Sequence, residues 1–141
     1  MNHIEDGIYD ATEDIDDLKT ATADSGWETI APGSNFLVYF TGENPTYRKV
    51  GKIVTLIGEL KPASSSVAIN TATAVTAFTL PSGYRPKRRI RFVCQGSGVN
   101  RWMLGIETNG TVAVSRYGDD ALAPSVTGSE WLPFCVTFIT A

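Results

Sequence analysis

A chain of 141 residues, 43% apolar and 19% charged with a net charge of −3, suits one compact domain with a small appendage and excludes a disordered polyelectrolyte. No run approaches the 18 or so apolar residues a membrane-spanning helix needs, and the acidic opening MNHIEDGIYD lacks the apolar core of a secretory signal, so synthesis in a cytoplasm is expected, with no membrane insertion. One histidine, His3, and two cysteines without a CxxC spacing leave too few ligands for a zinc site and no base for a nucleophilic triad, so no metal or other cofactor is expected.

The modest net charge hides a split. Residues 1–28 hold nine acids and one base, a net −8, whereas residues 29–141 hold six acids and eleven bases, a net +5. Such a division predicts two structural units, residues 1–25 and 26–141. In the first, Ile4, Ile8, Ala11, Ile15, Leu18 and Thr22 recur at spacings of 4, 3, 4, 3 and 4. That is a heptad, with Ile8, Ile15 and Thr22 at a and Ile4, Ala11 and Leu18 at d, while the acids fall mostly on b, c, f and g. A lone helix this short and acidic, with Gly7 inside it, is marginal in water, so its apolar seam needs a partner. A short parallel coiled coil is the expectation, and packing on the chain's own globular part is the alternative. ADSG, residues 23–26, ends the helix.

Strand signals follow from Trp27. WETIA (27–31) and FLVYFT (36–41) flank the turn PGSN. After GENP, TYRKVGKIVTLIGEL (46–60) reads as the longest strand. In it Val54, Leu56, Gly58 and Leu60 share one face and Ile53, Thr55, Ile57 and Glu59 the other. Being apolar on both faces, its middle is expected between two packed layers. AVTAFTL (74–80), RIRFVCQ (89–95), RWMLGIE (101–107), TVAVSRY (111–117) and WLPFCVTFIT (131–140) are further strands, and TNG (108–110) is a hairpin signal joining the third and fourth of these. In the last, Leu132, Phe134, Val136 and Phe138 share one face. Short strands with turns at this spacing predict an all-β fold, an antiparallel β-sandwich or Greek-key barrel. Cys94 and Cys135, both in strand-like runs, are expected as buried reduced thiols.

The basic run in TLPSGYRPKRRIRF, residues 79–92, suggests a nucleic-acid patch at first sight. Pro81, Gly83 and Pro86 instead make a turn between two strands. With Ile90 and Phe92 facing inward, Arg89 and Arg91 face outward, so the charges divide between a loop and one strand face. No continuous groove with aromatic platforms results, and no nucleic-acid partner is expected. Phosphate-cradling and calcium loops are missing too: GSG (96–98) precedes no helix, and GDD (118–120) lacks the D-x-D-x-D-G spacing. Asp119, Asp120, Glu107 and Glu130 are the only head carboxylates offered as a catalytic pair, and solvated loop acids explain them more simply. No enzymatic activity is expected.

Aromatics beside charges are more informative. Arg101 and Trp102 open one strand of the TNG hairpin, Arg116 and Tyr117 close the other, and Asp119 and Asp120 follow at once. Hairpin register brings these six together at the end away from the turn. Aromatic faces stack on sugar C–H surfaces, and charges in the same plane bind hydroxyls or phosphates, so Arg101, Trp102, Arg116, Tyr117, Asp119 and Asp120 form a candidate saccharide site.

FTLPSGYRPKRRIRFVCQGSGVNRWMLGIETNGTVAVSRYG resembles the C-terminal head domains of receptor-binding proteins and baseplate adhesins of tailed phages of Gram-positive bacteria, the lactococcal phages in particular. The matching features, in order, are Tyr84-Arg85-Pro86, the alternating strand Trp102 to Ile106, Asn109-Gly110, and the return strand Thr111 to Gly118. YRKVGKIVTLIGEL is similar to a strand common in phage tail and fibre proteins. The resemblance implies a homotrimer of β heads on a helical or fibrous stem, carried on the virion at the tail tip or baseplate. It further implies binding to host cell-wall polysaccharide or teichoic acid, and contacts with other baseplate or tail proteins. A purely structural tail or fibre protein is the alternative. One departure touches the ligand: where lactococcal heads carry saccharide-contacting His and Asp, this strand has Met103 and Gly105, and the return strand ends in Arg116-Tyr117 instead of tryptophan.

Overall fold

The computed structural model describes residues 3–120 and 123–141. Residues 1 and 2 of the expected stem, and 121 and 122 of the GDDALAPSVTGS loop, lie outside the described residues. The chain opens with helix α1 (His3–Ala21) and continues through nine strands: β1 (Glu28–Thr29), β2 (Phe36–Val38), β3 (Thr46–Val50), β4 (Ile53–Pro62), β5 (Val75–Thr79), β6 (Ile90–Gln95), β7 (Arg101–Ile106), β8 (Thr111–Gly118) and β9 (Leu132–Ile139). Every pairing between these strands is antiparallel.

The strands form two facing sheets. One has five strands, with β1, β3, β4 and β2 in order and β9 along the free side of β4; the other has four, in the order β5-β8-β7-β6. The result is a sandwich, with no closed barrel among the described strands. Edge strand β9 carries Pro133, which has no N–H to give a ladder and is tolerated at such an edge. Alternation fills the space between the sheets. Val54, Leu56, Leu60, Leu132, Phe134, Val136 and Phe138 point inward from one sheet, and Trp102, Leu104, Ile106, Val112 and Val114 from the other. Phe134 sits at the centre, with Trp102 edge-on to it at 6.2 Å between ring centroids.

Three expectations need correction. The run 46–60 is not one strand. Val50 pairs with Ile53 across a two-residue turn, Gly51-Lys52, so β3 and β4 form a hairpin. Gly51 has φ +60°, the left-handed conformation the first central residue of such a turn requires and glycine supplies at little cost. Nor does β4 lie between two layers. Its Val54–Leu56–Leu60 face is buried, while Ile53 is 52% exposed on the other. The cysteines differ as well. Cys94 is half-buried, and burial pushes its thiol up to about 11; Cys135 is exposed on the outer face of β9.

The helix leaves the sandwich at the β3–β4 turn. Asp24 bridges to Val50, Gly51 N–H donates to the Ala23 carbonyl at 2.8 Å, and Ser25 N–H donates to the Lys49 carbonyl at 2.9 Å. A side chain on Gly51 would run into the Ala21 carbonyl at 2.1 Å. Arg48 pairs with Asp24, and this guanidinium beside it, helped by the Gly26 N–H, holds the Asp24 carboxyl down at about 2. Beyond this junction Ile4, Ile8, Ile15 and Leu18 are each more than half exposed. No helix among the described residues is long and apolar enough to cross a membrane.

Candidate functional site

The antiparallel register sorts the loops into two ends. The stem end holds the Gly51-Lys52 turn, the TNG turn and the YRP segment. The far end, the tip, holds the β6–β7 loop, the β8–β9 segment and the segment after β4. At the stem end the YRP segment is a structural tie. The Tyr84 hydroxyl donates to Glu28 Oε1 at 2.6 Å, and its ring meets Tyr47 edge-on at 4.8 Å. Arg85 Nε donates to the Leu80 carbonyl at 3.0 Å, and Pro86 bridges to Thr140. The basic run divides as its alternation requires. Arg91 lies against Gly105 and pairs with Glu107 at 2.5 Å, and Arg89 reaches the same carboxylate at 3.5 Å.

The six candidate residues converge at the tip, where Arg101 pairs with Gly118 across β7 and β8. They divide into charges that face out and rings that face in. Arg101, Arg116, Asp119 and Asp120 are exposed. Trp102 and Tyr117 point into the core at 1% and 3% exposure. The Trp102 indole donates to the Gln95 carbonyl at 2.8 Å, and the Tyr117 hydroxyl accepts from Ser97 N–H at 3.1 Å. The two aromatics therefore support the tip from beneath and offer no free ring face. What the surface presents is charge: Arg101 is ion-paired with Asp120, and Arg116 stands nearby. A recess of about 200 Å³ lies between Arg101, Met103, Arg116 and Asp119.

Arg116 has an unusual backbone. Its φ is +58°, the one non-glycine residue with positive φ among those described. The register of β7 and β8 breaks between Arg101 and Met103, and β8 then turns to a new partner: Arg116 N–H donates to the Thr71 carbonyl at 2.8 Å and Tyr117 N–H to the Ile69 carbonyl at 2.9 Å. This bulge turns the Arg116 side chain out while keeping Tyr117 in.

Beside it is a cleft of about 340 Å³ that the sequence reading missed, lined largely by Ser97, Asn100, Ser125, Thr127 and Ser129. The loops GSGVN and SVTGS, rich in hydroxyls and amides, are its only trace in the sequence. Internal bonds make the cleft rigid. Gln95 Nε2 donates to the carbonyls of Gly96, Gly98 and Asn100, Asn70 to the Pro124 carbonyl, and Trp131 N–H to Ser97 Oγ. Glu130 accepts from the N–H and hydroxyl of Thr127 and from Gly128 N–H. Burial alone pushes the Glu130 carboxyl up, but these bonds outweigh it and hold the group below its ordinary value. Trp131 donates its indole N–H to Glu59 at 3.0 Å. Glu107 is at the opposite end of the sandwich, and no three His, Cys, Asp or Glu side chains among the described residues group to hold a metal.

An antiparallel two-sheet head on an N-terminal helix is thus the class of fold, with a charged, hydroxyl-rich tip far from the stem. Among solved structures it is similar to the crystal structure of the receptor binding protein (gp15) of Listeria phage PSA, at 10% sequence identity and a TM-score of 0.54, covering 98% of this chain and 81% of that one. At that identity the likeness is one of fold, and it spans helix and sandwich together. No family model and no curated protein matches the chain.

Proposed function

We propose that this chain is a phage tail receptor-binding protein whose head binds host cell-surface saccharide or teichoic acid through its tip, without catalysis. The observation that carries the reading is the likeness, over nearly the whole chain, to a Listeria-phage protein that is itself a receptor binding protein. The order of motifs shared with lactococcal-phage heads supports the same role. Residues 1–25 serve as the stem and 26–141 as the head, assembled as a homotrimer on the virion tail. Several heads presented together gain avidity, so each tip can bind weakly.

The tip chemistry suits a polymer of sugars and phosphates. Arg101 and Arg116 supply charge-assisted donors for phosphate or carboxylate, Asp119 and Asp120 accept from hydroxyls, and the serines and Asn100 add neutral partners. A head of net +4 attracts anionic wall polymers at long range. Fluorescently labelled full-length protein should decorate host cells, and soluble teichoic acid or wall polysaccharide should compete it off. Failure to decorate any Gram-positive cell that a parent phage adsorbs to would remove the reading. A structural tail role is favoured by one observation, the burial of Trp102 and Tyr117, which withdraws both rings of the candidate site from the tip surface. It predicts that deleting residues 27–141 blocks phage assembly and not adsorption.

A further inference from the structure

The outer face of the five-stranded sheet is built unlike an exposed surface. Across β4 and β9 it pairs Ile53 with Ile139, Thr55 with Thr137 and Ile57 with Cys135, three successive rows without a charge. On β3, Val50 continues the first row and Thr46 the third, while Arg48, ion-paired with Asp24, stands beside Thr55 in the second. An antiparallel sheet with a solvated face ordinarily shows polar residues there, as the opposite sheet does with Arg91 and Arg101. Ile139 is 63% exposed and Ile53 52%. The sequence of β4 is thus patterned for cover on both faces, and the chain itself covers one.

We infer that this face, Val50, Ile53, Ile57, Cys135 and Ile139, is the contact between heads of identical chains, extending the seam of the stem onto the sandwich. The inference rests on the coiled-coil reading of α1. Position links the two: the β3–β4 turn packs on the end of the helix, so Val50, Ile53 and Ile139 form the row next to the stem. Charge complementarity names the occupant. Asp14 falls at a g position and Lys19, the single base of the first 28 residues, at the e position five residues later. In a parallel, in-register coiled coil that g–e′ contact joins Asp14 of one helix to Lys19 of the next, while acids at b, c and f point outward. A parallel stem of identical helices brings the same end of every head to one axis. The sheet face alone offers about 300 Å² per copy at ordinary strand spacing, well under the roughly 800 Å² per partner of a stable interface, so it closes only together with the stem.

Cys135 reports on the face directly. In full-length protein carrying Cys94→Ser, a maleimide should label Cys135 about ten-fold or more slowly than in the same protein with Ile8→Glu and Ile15→Glu, because access governs thiolate reactivity. Light scattering on both samples gives the mass. A multimer whose Cys135 labels as fast as in the stem variant overturns the inference and leaves the coiled coil standing. A monomeric parent protein overturns both. Protection that Ile57→Arg abolishes, and that Val99→Glu at the tip does not, supports the face as assigned.

Discussion

Arg116 holds a backbone conformation that an L-residue rarely adopts, and its side chain is one of two guanidiniums at the tip. Glycine tolerates φ +58° freely, so Arg116→Gly should leave the melting temperature equal or higher, whereas Arg116→Val should cost about 1–2 kcal/mol, since a β-branched side chain is a true outlier there. Thermal unfolding of the two variants checks this. Trp102 belongs to a different category. It is buried and bonded, so Trp102→Ala should cost about 3–5 kcal/mol and show as lost stability before any specific effect on binding. Chemical denaturation measures it. The sequence made Arg101-Trp102 and Arg116-Tyr117 look like two aromatic–charge pairs of one kind. Adjacent strand residues face opposite sides, which sends the charges out and the rings in, and the Arg116 bulge that preserves this arrangement has no sequence signature. Gly96 is part of the same construction, since a Cβ there would meet the Tyr117 ring at 2.6 Å.

Among the elements, the loop before β9 depends on one carboxylate. The folded pKa of Glu130 lies below its ordinary value, so the bonds it accepts stabilise the loop fully at neutral pH and are lost as pH falls through the carboxylate range. The protection of the Thr127 and Gly128 amides, relative to their intrinsic exchange rates, should therefore fall in acid, and Glu130→Gln should lower it already at pH 7. The helix was legible because its heptad is strict. Expected as one half of an interface, it shows a bare apolar seam, and Ile8→Glu with Ile15→Glu should convert the protein to monomers by light scattering while the circular dichroism of the sheets persists. The hairpin at Gly51-Lys52 was not legible, because apolar residues on both sides of it continue the pattern of a strand and GK is a weak turn signal. Reading through it also hid the meaning of the two-faced β4. The pattern suggested cover on both sides, but among the described residues only the Val54–Leu56–Leu60 face is covered.

At the scale of the whole molecule, the charges divide between an acidic helix α1 (His3–Ala21) and strands and loops that carry eleven of the twelve bases. Antiparallel pairing then puts the stem at one end and the charged tip at the other, the arrangement expected if the protein is anchored by its helix and reaches outward with its loops. The segment that first drew attention, Tyr84-Arg85-Pro86 with its basic run, lies at the stem end and ties loops together, apart from the candidate residues at the tip. The most direct measurement is therefore a titration of the full-length protein against purified wall teichoic acids and wall polysaccharides from a panel of Gram-positive bacteria, alongside an Arg101→Ala, Arg116→Ala double variant. Saturable binding to at least one fraction, weakened about ten-fold or more in the double variant by loss of charge-assisted hydrogen bonds, is the expected result. Binding to none of them, or equal binding by the double variant, would contradict a receptor-binding tip.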